Sequence, residues 1–255
     1  MKKIVSDIAK VVAAAAVLAM SGASATEIKV FSSNAFSDAW TQLKPQFEAH
    51  GHTLKLVFGT SGMISKWIGE GQVGDVILST ASAIESLTND HKIVAGSTTP
   101  IASCGAGVSV RKGAPKPDIS TPEKLKQALL SARAVAYSDP AGGGASGIHF
   151  VKVLQQLGIA DQVNAKAKLG RGVPNGEAVA KGEADIAVQQ IPELMSVSGT
   201  ELVGPLPREL QSITPFSAAV LATSKDRRSA SSLIEFLTSR QTAAVLKAGG
   251  FEGTH

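Results

Sequence analysis

Three glycine-rich turns carry the residue types best suited to holding a small anion. Phe58-Gly59-Thr60-Ser61-Gly62 passes from an apolar run straight into a helical pattern. The first amides of a helix have no partner inside it, and the helix dipole is positive at that end. The hydroxyls of Thr60 and Ser61 beside such amides make a natural anion site, although Ser61 could equally be only a helix cap. A second turn, Gly142-Gly143-Gly144-Ala145-Ser146-Gly147, has formal G-x-G-x-x-G spacing. A dinucleotide fingerprint is excluded, because Asp139-Pro140-Ala141 separate the preceding strand from the glycines and no acidic residue stands about twenty positions on at a strand end. What remains is a backbone able to wrap closely around a small anion, with Ser146 and Gly147 at the start of a helix. The third turn, Gly170-Arg171-Gly172-Val173-Pro174-Asn175-Gly176, offers a guanidinium that could pair bidentately with a carboxylate. A solvated loop arginine is the plainer alternative.

Catalytic signatures are mostly missing. Gly59-Thr60-Ser61-Gly62-Met63 and Gly144-Ala145-Ser146-Gly147-Ile148 each fail G-x-S-x-G at the last position. His50 and His52 have no third residue spaced to complete a metal site, so neither a metal nor a cofactor is expected. His149, one turn into the helix behind the glycine loop, is the residue that could move a proton if any does. Glu183 and Asp185 read as ordinary surface charge.

The elements that must position these turns alternate. Strands are predicted at 27–31, 53–58 and 75–78, with helices at 35–50, 63–70 and 82–90; Pro45 should bend or loosen the first helix. Such a β-α run implies a parallel sheet with helices on both faces. A second unit comes next, with strands at 106–110, 134–137, 167–169 and 186–188. Its helices fall at 148–157 and 176–181, and a further one begins at Thr121-Pro122 with a capping hydroxyl ahead of proline. A strand at 217–222 and helices at 231–237 and 241–248, the last with Gly249 at its C-cap, close the chain. The expected organisation is α/β in two lobes, residues 26–106 with 217–255 and residues 107–216. The crossings would lie near 104–108 and 214–218, with a cleft between the lobes.

At 255 residues with 44% apolar and 18% charged side chains, the chain can bury a core without disulfides, and wholesale disorder is excluded. Only 4% of residues are aromatic and the net charge is +4, of which +2 lies in the first 25 residues, so no nucleic-acid partner is expected. Lys2 and Lys3, the apolar block at 11–20, and Ala23-Ser24-Ala25 together form the three parts of a secretory signal peptide. The mature chain would then begin near Thr26, in the periplasm. No later apolar run is long enough to span a bilayer. The single Cys104 rules out an internal disulfide and should be buried as a small apolar side chain.

The order Lys29-Val30-Phe31-Ser32-Ser33-Asn34-Ala35, Phe58-Gly59-Thr60-Ser61-Gly62 and Gly74-Asp75-Val76-Ile77-Leu78-Ser79 resembles the periplasmic molybdate-binding proteins of ABC importers. The resemblance continues through Ser138-Asp139-Pro140, Gly182-Glu183-Ala184-Asp185-Ile186-Ala187 and Phe236-Leu237-Thr238-Ser239, covering nearly the whole mature chain. It implies the two-lobed type II periplasmic-binding-protein fold. Together with the reading of the three turns, it leads to the expectation of an anion held in the cleft by Ser33, Asn34, Thr60, Ser61 and Gly62 from one lobe and Ser146, Gly147, Arg171 and Gln190 from the other, Ser61 standing where the family places a ligand-binding serine. The expected role is capture of a small anion, an organic carboxylate or a tetrahedral oxyanion, by a monomer that serves the membrane component of an ABC importer. Two family hydroxyls are replaced, at Ala35 and Gln190, and the glycine loop is longer; both point away from molybdate and toward a larger organic carboxylate. The branch it resembles also includes a periplasmic aconitate isomerase, which moves a double bond by proton transfer, and His149 would be its general base.

Overall fold

The computed structural model describes residues 27–253; the expected export segment lies outside them. The first lobe is built on β1 (Glu27–Ser33), β2 (Thr53–Gly59), β3 (Val76–Thr80) and β4 (Thr99–Cys104). Between them run a 3-10 turn (Asn34–Phe36), α1 (Ser37–Glu48), α2 (Ser61–Gly69) and α3 (Ala81–Asn89). The chain then builds the second lobe from β5 (Ala106–Arg111), α4 (Pro122–Ser131), β6 (Val135–Ser138), α5 (Ala145–Gln156), α6 (Ala160–Asn164), β7 (Ala167–Gly170), α7 (Gly176–Ala180), β8 (Ile186–Gln190), α8 (Ile191–Met195) and β9 (Thr200–Pro205). It returns as β10 (Thr214–Val220), followed by α9 (Arg227–Leu237) and α10 (Arg240–Ala248).

Each sheet has five strands, ordered β2-β1-β3-β10-β4 and β7-β6-β8-β5-β9. Helical connections explain why β1, β2 and β3 pair in parallel, from Glu27↔Thr53 to Ser33↔Gly59 along the first pair. The sheets are nevertheless mixed, not parallel throughout. β10 lies antiparallel between β3 and β4, and β5 lies antiparallel between β8 and β9. Both are the strands on which the chain arrives from the other lobe, so they enter from the opposite direction. The return comes earlier than the sequence suggests: Thr214, Pro215 and Phe216 already pair with Cys104, Ser103 and Ala102. In strand terms the crossings are Gly105 and residues 206–213.

Two edge strands, β4 and β9, are not expected from the sequence; TPIASC and TELVGP carry too many polar and proline residues to show a strand pattern. α1 runs unbroken through Pro45 because Ala39, Trp40, Leu43 and Phe47 bury one face of it. Burial of each large apolar group of this kind is worth about 1.5–3 kcal/mol, which outweighs one missing helical hydrogen bond. Phe36 and Phe251 stack with centroids 4.4 Å apart, and Phe216 meets Phe36 edge-on at 5.2 Å. This aromatic cluster anchors the turn that carries Ser33 and Asn34. Cys104 is fully buried, and burial pushes its thiol pKa far up, which makes it an inert core residue.

Candidate functional site

The glycine-rich turns converge at the strand ends that face the other lobe, where ligands of open α/β sheets sit. A cavity there is walled by Ser33, Asn34, Thr60 and Ser61 from the first lobe. Ser138, Gly144, Ala145, Ser146, Gly172, Val173, Gln189, Gln190 and Glu193 complete it from the second. The room for the centre of a water-sized body is about 20 Å³, enough for one water at roughly 10–15 Å³ each. The cleft is therefore shut. A larger depression of about 570 Å³, near Lys124 and the Arg133–Asp185 pair, draws on the second lobe alone and brings none of these turns together.

On the first lobe, Thr60 caps α2: its Oγ1 accepts from the Met63 N–H at 3.1 Å. The Ser61 Oγ accepts from the Thr80 N–H at a weak 3.4 Å and stays buried in the cavity wall. Ser33 caps the 3-10 turn in the same manner, at 3.4 Å from the Ala35 N–H. Ser32 is turned away, its hydroxyl accepting from Trp40 Nε1 at 2.9 Å.

On the second lobe, α5 begins at Ala145, three residues before the predicted start, with Gly144 as its N-cap and no side chain capping it. Its first amides are thus without intrahelical acceptors at the cavity edge. The Ser146 and Ser138 hydroxyls lie 3.4 Å apart, and Asn175 Nδ2 donates to Ser138 Oγ at 3.0 Å. Gln190 lines the cavity, and its buried Nε2 has no hydrogen-bond partner among the described residues. A buried donor left over in this way is costly unless a ligand takes it up.

Several expected residues take other positions. Gly62 donates its N–H across the cleft to Gly143 O at 3.2 Å, so it closes the lobes instead of lining the cavity. Gly147 is packed so tightly on Ser138 that any Cβ would overlap the Ser138 carbonyl. Arg171 lies outside the wall, largely exposed, with Nε donating to Asp139 Oδ2 at 2.6 Å. The Ala141 N–H and then Arg171 hold the Asp139 carboxyl below its ordinary range. His149 is bound through Nε2 to Leu210 O at 2.8 Å and faces Thr80, Ser82, Ser212 and Ile213 in a separate depression.

Glu193 was not visible as a site residue in the sequence. It follows Pro192 in the first turn of α8 and looks like an ordinary helix-start acid. Its place just beyond the end of β8 was the available signal. Burial pushes its pKa up to about 8, against the opposing pull of the Gln189 hydrogen bond. Among the described residues Glu193 is the one ionisable side chain in the cavity wall, and no cationic side chain lines it. The site can hold an anion only through hydroxyls, amides and a neutral carboxyl.

Residues 28–252 match the family of bacterial extracellular solute-binding proteins. The chain belongs to that family. It is 30% identical over 234 residues, 89% of this chain and 88% of the other, to an aconitate isomerase of Pseudomonas sp.. Among solved structures it superposes on the Azotobacter vinelandii periplasmic molybdate-binding protein with a TM-score of 0.76 at 20% identity, covering 89% of this chain and all of that one. A sulfate-binding protein of Mycobacterium tuberculosis gives 0.71 at 18% identity, covering 90% and 87%. These structures show the type II periplasmic-binding-protein fold. Among the described residues no helix is long and apolar enough to cross a membrane.

Proposed function

We propose that this solute-binding protein captures, outside the cytoplasm, a small organic acid with two or three carboxylates, of the class to which aconitate belongs. The carrying observation is the cavity wall, where neutral donors from both lobes, with the unpartnered Gln190 Nε2 among them, surround a space free of cations. Several donors spread over two lobes suit several carboxylates spread over a carbon chain. Ala35 and Gln190, where the resemblance to the molybdate binders would lead one to expect hydroxyls, speak against a compact tetrahedral oxyanion. The relative that acts on aconitate supports the same class of ligand.

A second reading concerns the fate of the captured ligand. Family membership favours delivery to an ABC importer; the aconitate isomerase relative favours conversion within the cleft. The test of capture is calorimetric titration with trans-aconitate, citrate, molybdate and sulfate. The polycarboxylates should bind at least about a hundredfold more tightly than the oxyanions, a difference of about 2.7 kcal/mol. Tighter binding of molybdate or sulfate would overturn the reading.

A further inference from the structure

The cavity wall holds a carboxyl, Glu193, that the Gln189 amide orients. The Gln189 amide is fixed at both ends: its Oε1 accepts from the Asn175 N–H at 2.6 Å, so its Nε2 must be the atom that donates to Glu193 Oε1 at 2.8 Å. Oε1 of Glu193 is therefore an acceptor, and in the neutral acid the proton sits on the other oxygen, Oε2. Among the described residues Oε2 has no hydrogen-bond partner, and Glu193 lines the cavity that Ser61 and Ser146 also line. The carboxyl is thus oriented by one oxygen and free to work with the other.

We propose that Glu193 is the catalytic acid–base of this cleft, shifting a double bond along a bound unsaturated polycarboxylate. The inference rests on the reading of the cleft as a polycarboxylate site. Once the neutral acid has released its Oε2 proton to solvent, the carboxylate Oε2 takes a proton from the methylene carbon beside the C=C, so a C–H bond breaks and an O–H bond forms. The freed electron pair becomes the new C=C. The old C=C pair takes the proton from Oε2 at its far carbon, so O–H breaks, C–H forms, and Glu193 ends as the carboxylate that started the transfer, which regains its proton from solvent. No oxidant, reductant or second substrate is needed. Charge that builds on the adjoining carboxylate during the transfer is met by the Ser61 and Ser146 hydroxyls and the first amides of α5.

His149 cannot take this role while its ring is bound to Leu210 outside the cavity. Burial matched to function also explains why an acid sits here at all. A carboxyl in an anion site repels its ligand when ionised, so a purely capturing cleft gains nothing from one that an amide would not give.

The test uses the purified full chain with trans-aconitate as probe, following binding by calorimetry and formation of cis-aconitate by proton NMR. Wild type should bind and convert. Glu193→Gln, which keeps shape and one donor, should bind within about threefold of wild type and convert about a hundredfold more slowly or worse. Conversion by Glu193→Gln at the wild-type rate would overturn the assignment alone, as would wild-type binding without conversion. No binding by wild type would overturn the polycarboxylate reading itself, and the assignment with it. Should Glu193→Gln not fold, Glu193→Asp decides. A carboxyl withdrawn by one methylene should convert about tenfold more slowly or worse, and an unchanged rate would overturn the assignment.

Discussion

Gly62 and Gly143 stand face to face across the cleft, so close that a Cβ built on either would lie 2.6 Å from the Cα of the other. The Gly62 N–H donates to Gly143 O, and two residues back on the first loop the Thr60 hydroxyl donates at 2.5 Å to Gly142 O, one residue back on the second. Two hydrogen bonds between the α2 start and the glycine loop hold the lobes shut over a space of about one water. Anything larger than a water must part this contact to enter.

Gly62→Ala should prop the cleft open. Its partner atoms are backbone, which cannot step aside, while alanine inside α2 favours the helix by up to about 1 kcal/mol. The expected result is an unchanged or raised melting temperature, a larger ligand-free radius of gyration, and faster association. Loss of one hydrogen bond worth about 1 kcal/mol predicts about a fivefold gain in association rate. Solution scattering and stopped-flow fluorescence measure both. Gly143→Ala is the poorer variant, because Gly143 has φ +67° and alanine would be strained there in any case.

Glu193 should leave a signature in the pH dependence of stability. Its folded pKa, about 8, lies above the ordinary carboxylate value of 4.5, so between these pH values the folded chain holds a proton that the unfolded chain has released. Stability from this group therefore falls as pH rises from about 4.5 to 8, then levels off. Of the groups around it, Cys104 at the end of β4 is the ionisable one that couples to it, and that thiol stays neutral throughout the window. Urea midpoints of wild type and Glu193→Gln, measured from pH 5 to 9, should diverge steadily in favour of the variant. Parallel curves would mean that Glu193 is not buried.

Arg171 should matter little to the ligand. The ion pair with Asp139 lies outside the cavity wall, and 80% of the arginine side chain is exposed. Exposed pairs of this kind contribute about 0–1 kcal/mol to stability. Arg171→Ala is expected to keep its affinity for trans-aconitate within about threefold, less than about 0.7 kcal/mol by calorimetry. A tenfold loss would place the guanidinium on the ligand after all.

What the sequence revealed and what it concealed have physical causes. Strand-to-helix turns announce themselves through glycine, hydroxyl and periodicity, so Thr60, Ser61 and Ser146 could be found in one dimension and the structure gathers them with Ser33, Asn34 and Gln190. Arg171 and His149 misled because residue type says nothing of direction. One is turned outward onto Asp139, the other onto the Leu210 carbonyl. Glu193 stayed hidden for the opposite reason, since only tertiary packing of the short α8 against the lobe interface makes an ordinary acid a buried one. The antiparallel β5 and β10 could not be read from local pattern at all, because strand direction in a returning chain is set by where it returns from.

The hinge offers the last prediction. Gln211, in the second crossing, grips the residue just past the first: its Oε1 accepts from the Ala106 N–H at 2.9 Å and its Nε2 donates to Ala106 O at 2.8 Å. The first crossing, Gly105, must be glycine for this clamp, because a Cβ there would lie 2.8 Å from Gln211 Nε2. The side chain thus ties the two connecting strands together with the pairing a neighbouring strand would give. Gln211→Ala leaves the Ala106 N–H without its acceptor and frees the crossings to move independently. Amide exchange at Ala106 should accelerate by at least about tenfold, the effect of roughly 1.4 kcal/mol of lost protection. Exchange at Val108, two residues further into β5 and paired with Val188, should not change. Acceleration confined to Ala106 and its immediate neighbours marks Gln211 as the hinge tie, whereas equal acceleration along β5 would show that the variant had loosened the whole second sheet.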